Sequence, residues 1–356
     1  MAMAEQDFRA SPRGRRQSWF GLKPGIKTAL AGSGIHPVLQ ASQRLLPGLS
    51  IRRLPAPAGL AEVVAEVDGE RFVLLDPARC EIAKEMYWGR GRRPVSGDAL
   101  ALDVMARLSR DADVFLDVGA YTGVFTLAAL TANPRLHAHA FEMVPAVAEG
   151  LVRNLERNGV TDRATVHRAG VGRPGERMTV PSGEGGSALP SFYSARLSFS
   201  AGVEVEFVSL DSLIADVAGG AESGDVSAAA TGAESGDDSE AATGAEHEPS
   251  TEAEAGVQSP IVAMKVDVEG TENTVFAHGQ EFLARFTPDI LCEVLVEHAE
   301  PRELEVLLAP HGYSYYLVCD DVLELRARIT PDPRHRDWLF TTRSPEDLAE
   351  FAPVTD

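Results

Sequence analysis

From Val114 to Thr342, apolar runs too short for helices alternate with stretches of helical periodicity. Val114–Val118 stops at Gly119, and Thr122–Thr131 then reads as a helix. Leu136–Glu142 is a second strand. Pro145 suits the first turn of the next helix, Val147, Leu151, Val152 and Leu155 keep its apolar face, and Asn158-Gly159 stops it. Ala164–Val171, Ile261–Val268 and Asp289–Leu295 are further strands. Arg302–Leu308 is a helix closed by His311-Gly312, and Tyr313–Val318 and Trp338–Thr342 complete the set. This alternation predicts an α/β fold, a mostly parallel sheet with helices on both faces. Ahead of it, residues 56–110 read as an N-terminal cap with helices and a hairpin, Val63–Glu66 and Arg71–Leu75, turned at Asp68-Gly69.

Charge divides the 356 residues further. Acids outnumber bases 53 to 33, a formal net charge of −20. Residues 1–55 carry nine Arg/Lys against two Asp/Glu, and are expected to form a basic, partly disordered arm. Residues 216–259 carry eleven Asp/Glu, no Arg or Lys and no aromatic residue. The sequence GAESGD at Gly220–Asp225 recurs at Gly232–Asp237, a period of 12 residues with almost no apolar surface to stack. We expect a disordered, low-complexity insertion in a surface loop, with an acidic interaction segment as the functional alternative. The flanking segments 111–215 and 260–345 then form one domain, followed by a tail at 346–356. An acidic body repels a phosphate backbone, so nucleic acid is not an expected partner. No apolar run approaches the ~18 residues of a membrane span, and the N-terminus lacks the apolar core of a secretory signal. Cys80, Cys292 and Cys319 have neither disulfide-framework nor metal-binding spacing, which fits a reducing cytoplasm.

The most informative turn is Asp117-Val118-Gly119-Ala120-Tyr121-Thr122-Gly123, at a strand end and opening a helix. Glycines there admit a ligand close to the backbone, and the helix start offers unpaired N–H groups. Glu142 ends the next strand, where a carboxylate can accept both hydroxyls of a ribose. A dinucleotide fingerprint would need G-x-G-x-x-G. Here the spacing is G-x-x-x-G, and Asp117 just before it would repel a pyrophosphate but suit an ammonium group. These residues match S-adenosylmethionine better than NAD, with Asp117 near the methionine amine and Glu142 on the ribose. A tight strand-to-helix turn without a ligand is the simpler explanation of the glycines alone.

Lys265, Asp267 and Glu269 alternate along the fourth strand, which puts them on one side if the chain stays extended. Charges beside a buried parallel strand are costly unless paired or functional. They form an ion pair closing the strand end, or they wall a site that orients an acceptor and takes its proton.

Together these segments resemble the FkbM-type S-adenosylmethionine-dependent methyltransferases. The resemblance rests on Phe115–Gly123 (FLDVGAYTG), Val208–Leu213 (VSLDSL), Met264–Glu272 (MKVDVEGTE) and Pro288–Glu293 (PDILCE), in that order. It covers about 115–343, interrupted by the acidic insertion. It implies a seven-stranded, Rossmann-like class I methyltransferase fold that moves a methyl group from S-adenosylmethionine, usually to a hydroxyl. Tyr121 departs from the small or Asn-containing turn usual in the family, and Met143 from the usual proline after the ribose acid.

The cofactor candidates are therefore Asp117, Gly119, Ala120, Tyr121, Thr122, Gly123 and Glu142. The catalytic candidates are Asp267 and Glu269, with His298 beyond the fifth strand as a third. Glu293 could join Asp267 in a hard-cation site, but a hydrogen-bonded strand-end carboxylate is the simpler reading, and no metal is assigned. Asp211 reads as the cap of a helix Ser212–Ala215. Hydrolase elbows, Walker loops and zinc signatures are absent from the sequence. The expected activity is methylation of a hydroxyl on a small molecule, sugar or lipid-linked glycan. The alternative is a catalytically silent protein of the same fold that binds a partner through its acidic insertion. An NAD-dependent oxidoreductase fits less well, and the oligomeric state stays open.

Overall fold

The computed structural model describes residues 31–32, 34, 36–42, 54–181, 202–219, 259–296 and 300–355. Most of the basic arm, residues 182–201, residues 220–258 of the insertion, and His298 lie outside the described residues.

A short helix α1 (His36–Ser42) precedes the hairpin β1 (Glu62–Val67) and β2 (Glu70–Leu75). Asp68 and Gly69 both take positive φ, 47° and 86°, as a two-residue hairpin turn requires. Helices α2 (Glu81–Trp88) and α3 (Ser96–Leu108) follow and pack on β1. The main sheet is built from β3 (Val114–Val118), β4 (His137–Phe141), β5 (Ala164–His167), β9 (Val262–Val266), β10 (Asp289–Glu293), β11 (Ser314–Val318), β12 (Leu323–Arg326), β13 (Asp337–Thr341) and β14 (Val354–Thr355). Helices α4 (Val124–Ala132) and α5 (Pro145–Asn158) lie between its first strands, and α5 pins the hairpin. Asn154 and Asn158 accept from the backbone of Leu75 and Val73 at 2.9 and 2.8 Å.

Strand order across the sheet is β14-β12-β11-β13-β10-β9-β3-β4-β5. The five strands from β10 to β5 are parallel, and β13 runs antiparallel between β10 and β11. From β5 to β11 this is the seven-stranded class I arrangement, with the last strand of the seven inserted backwards. The expected seven strands become nine, because β12 and β14 extend the β11 edge.

The predicted strand Ala164–Val171 is broken. Its last residues form β6 (Gly170–Val171), which leaves the main sheet and pairs with β8 (Val203–Val208), itself paired with β7 (Arg177–Val180). A Cβ on Gly170 would lie 2.6 Å from the ring of Phe207, so the departing strand packs its bare backbone on that ring. The helix after Val208–Leu213 also runs past the expected boundary. Helix α6 (Ile214–Gly219) buries Val217 in the core, so the domain continues to Gly219. Asp211 does not cap its own turn. It accepts at 2.8 Å from the backbone of Phe282 and caps helix α8 (Gln280–Phe286), joining segments the insertion separates.

Central strands β3, β9 and β10 are buried at every residue. Phe115, Ala263 and Leu291 face one core layer, with the cap, α3 and α4. Leu116, Met264 and Ile290 face the other, with α8 and the helices α7 (Glu272–Ala277) and α9 (Pro301–Leu308). Two residues beyond Phe115, Ala263 and Leu291, in the same alternating set, stand Asp117, Lys265 and Glu293. The first layer thus turns from apolar to charged at the carboxyl ends of its strands, where open α/β sheets bind ligands. Among the described residues, no helix is long and apolar enough to cross a membrane.

Candidate functional site

The turn after β3 is stitched to both neighbouring strands. Gly119 and Ala120 donate to the carbonyl of Phe141 at 3.1 and 2.9 Å, and Asp267 donates to that of Val118 at 2.9 Å. Lys265 Nζ donates to the Gly119 carbonyl at 2.8 Å. Gly119 has φ +80°, and a Cβ there would lie 1.8 Å from the Asp267 carbonyl oxygen. Only glycine fits this crossing. Tyr121 adopts φ 51°, an unusual conformation for a bulky residue, and its amide points at Glu142.

The two carboxylates flanking the turn are used differently. Glu142 Oε2 accepts from the Tyr121 amide at 3.0 Å and Oε1 from the Val144 amide at 2.8 Å. Its side chain lines a cavity of about 570 Å³ together with Gly119, Ala120 and Tyr121. Burial pushes its carboxyl up to about 7, although both amides favour the ionised form. Asp117 is fully buried and is not on the cavity wall. Its Oδ2 accepts from the amide and hydroxyl of Thr126 at 3.0 and 2.6 Å, closing the N-terminus of α4, where Gly123 offers no side chain to do so. Burial pushes the Asp117 carboxyl up. Thr122 is also buried, with its hydroxyl 3.1 Å from Cys80 Sγ, and neither it nor Gly123 reaches the cavity. The sequence placed Asp117 at a ligand amine; the structure places it beneath the turn, as a cap.

The strand β9 ends at Val266, yet Lys265, Asp267 and Glu269 all line the cavity. Glu269 takes φ 56° and Gly270 φ 99°, and this turn swings Glu269 inward. Glu272 holds the turn. Its Oε1 accepts from the amides of Val268 and Gly270 at 3.3 and 3.0 Å. Burial by itself would strip the Lys265 proton, but Asp267, at 3.2 Å, and Asp117 outweigh it and raise its pKa. Burial also opposes ionisation of Asp267, and Lys265 reverses that, so Asp267 stays below the usual carboxylate range. Glu269 feels burial and the Asp267 charge, and is pushed up to about 7.

Of the far wall the sequence offered Glu293 alone; Arg336, Asp337 and the Arg93 cluster of the cap were not foreseen. Glu293 ends β10 opposite Asp337, the first residue of β13. Arg336 pairs with Glu293 at 2.9 Å, and burial together with the nearby Asp267 pushes the Glu293 carboxyl up. The cap contributes Arg93, whose guanidinium holds Glu85 and Asp98, each at 2.8 Å. In all, eight carboxylates line the cavity against three cations, so it suits a positively charged ligand and opposes a phosphate-rich one. Val118, Phe141, Met143, Val171 and Phe207 add an apolar part to the lining. A charged residue ending an apolar strand was the available signal for Glu293. Asp337 carried none, because an antiparallel strand brings its first residue, not its last, to this edge.

No family model matches the sequence, and no curated protein matches it. Among solved structures the chain is similar to the methyltransferase FkbM of Methylobacillus flagellatus KT, at 16% identity and a TM-score of 0.37, over 65% of this chain and 44% of that one. It is similar to the precorrin-6y C5,15-methyltransferase of Geobacter metallireducens GS-15 at 12% identity and a TM-score of 0.34, over 68% and 87%. It is also similar to an O-methyltransferase from Bacillus cereus in complex with SAH, at 13% identity and a TM-score of 0.34, over 69% and 80%. The chain spans less than half the length of the first of these. The α/β fold itself is given by the strand order of this chain.

Proposed function

We propose that this chain is an FkbM-type methyltransferase that moves a methyl group from S-adenosylmethionine to a hydroxyl of a small molecule, sugar or lipid-linked glycan in the cytoplasm. The observation that carries the reading is one cavity lined both by Glu142 with the glycine turn and by Asp267 and Glu269. The residues present fit the cofactor. Glu142 offers a fixed carboxylate for the ribose hydroxyls, and the apolar part of the lining suits a purine. The excess of carboxylates along the cavity suits a sulfonium and an ammonium.

Bound S-adenosylmethionine would supply an electrophilic methyl group on a sulfonium. The chain's own task is to align an acceptor oxygen with it and exclude water. Asp267, kept ionised by Lys265, orients the acceptor hydroxyl. Glu269, with its carboxyl raised to about 7, is better matched to take the proton near neutral pH. Calorimetric titration of the purified chain with S-adenosylhomocysteine, with NAD as control, tests the reading. Micromolar binding of the former alone is expected. Binding of NAD alone, or of neither, overturns it.

A further inference from the structure

Asp267, Glu269 and Glu293 crowd one part of the cavity, with one carboxyl oxygen from each within 4.8 Å of the others. Like charges this close oppose one another's ionisation, and their surroundings decide where a proton stays. The Asp267 side chain is 33% exposed and has Lys265 Nζ at 3.2 Å, itself anchored on the Gly119 carbonyl. The Glu293 side chain is 9% exposed, with Arg336 at 2.9 Å. Arg336 is fixed in turn, because its carbonyl accepts from the Val294 amide at 2.8 Å. Asp267 and Glu269 from the turn after β9 and Asp337 from β13 all act on Glu293, and the cap adds Arg93 and Asp98, whose charges reach Asp337. A side-chain hydrogen bond joins Glu293 to Asp267. Two ionised carboxylates are both acceptors, so this bond requires a proton on one of them.

We infer that Glu293 is a positioning residue: as an uncharged carboxylic acid it donates to Asp267 and, together with Lys265, fixes the direction of the Asp267 carboxylate. The charges agree with the geometry. Burial and the Asp267 charge push the Glu293 carboxyl up to about 10. Burial also opposes ionisation of Asp267, but Lys265 and the Glu293 hydrogen bond outweigh it. The proton therefore sits on the more buried acid, and the charge on the one beside the lysine.

For its chemical role this pair rests on the methyl transfer proposed above. A carboxylate that already accepts from Lys265 and Glu293 is a weak base with a fixed direction, suited to orient an acceptor hydroxyl. The hydroxyl proton passes to Glu269 as the oxygen–methyl bond forms. The sulfur–methyl bond breaks, its electron pair stays on sulfur, and the sulfonium becomes a neutral thioether.

The test is infrared difference spectroscopy of the full chain against Glu293→Gln at pH 8, in H2O and in D2O. The parent should show a protonated-carboxyl carbonyl band that the variant lacks and that shifts on deuterium exchange. The amide in Glu293→Gln still donates to Asp267, whereas Glu293→Leu cannot. In carbon-13 carboxyl spectra, with Asp267→Asn assigning the signal, Asp267 should titrate in Glu293→Gln as in the parent. In Glu293→Leu it should titrate roughly one pH unit or more higher. Circular dichroism and urea unfolding establish that each variant is folded. If Glu293→Leu does not fold, Asp267→Asn serves, because loss of the neighbouring charge should make the Glu293 band disappear at lower pH than in the parent. Absence of the difference band at pH 8 overturns the inference. So does an identical Asp267 titration in folded Glu293→Gln and Glu293→Leu, or an unmoved Glu293 band in Asp267→Asn. Titration of the parent with S-adenosylhomocysteine separates the two readings. Failure to bind it overturns the methyl transfer and leaves the carboxyl pair standing.

Discussion

Asp117 and Glu142 flank one turn, and both are acids at strand ends, yet their surroundings separate them. Asp117 caps α4 from inside the core, so Asp117→Ala removes a cap, leaves the Thr126 amide without its acceptor and takes one of two nearby carboxylates from Lys265. We expect it to lower unfolding free energy by about 2 kcal/mol or more, read as a lower urea midpoint. An unchanged midpoint would refute the capping role. Glu142 instead faces the cavity, and its carboxyl is raised from 4.5 to about 7. The folded state thus holds this proton longer than the unfolded chain does. The stability linked to it is fully present below the unfolded value and is lost as pH rises through the folded one. Ribose hydroxyls need the ionised form. Affinity for S-adenosylhomocysteine should therefore rise roughly tenfold between pH 6 and pH 8 and flatten in Glu142→Gln. A flat profile in the parent chain would remove Glu142 from the cofactor site. Sequence spacing located both acids. It could not tell them apart, because burial depends on whether a neighbour's backbone or open space lies above the strand end.

At the scale of elements, the decisive features are turns. Gly119 and Gly159 both have positive φ, but a Cβ on Gly159 meets nothing within 4 Å, whereas one on Gly119 meets the Asp267 carbonyl at 1.8 Å. Gly159→Ala should cost about 1–2 kcal/mol from its backbone conformation alone. Gly119→Ala should cost distinctly more and abolish binding of S-adenosylhomocysteine, because β3 and β9 must part to admit it. Equal unfolding midpoints for the two variants would contradict this crossing. The apolar runs and the Asp68-Gly69 hairpin were readable from local pattern, since period and turn chemistry are local properties. The break between β5 and β6 was not, because it follows from Phe207, distant in the chain, lying over Gly170.

At the scale of the whole molecule, the insertion separates two halves of one sheet, and Asp211 and Phe282 join across it. Val217 is buried, so a deletion must start after Gly219. Replacing residues 220–258 by a short Gly-Ser linker should leave the thermal midpoint and S-adenosylhomocysteine affinity unchanged. Loss of the folded state would show that the segment belongs to the domain. The sequence by itself determined the α/β class, the glycine turn with the Glu142 strand end, and the charged block Lys265–Glu272, since each is written in contiguous residues. Only the tertiary structure decided which acids reach the cavity. It sank Asp117 into the core and brought Glu293, Arg336, Asp337 and the Arg93 cluster of the cap to face Asp267 and Glu269. Strand order and direction set those meetings, and both arise from long-range packing that no local spacing records.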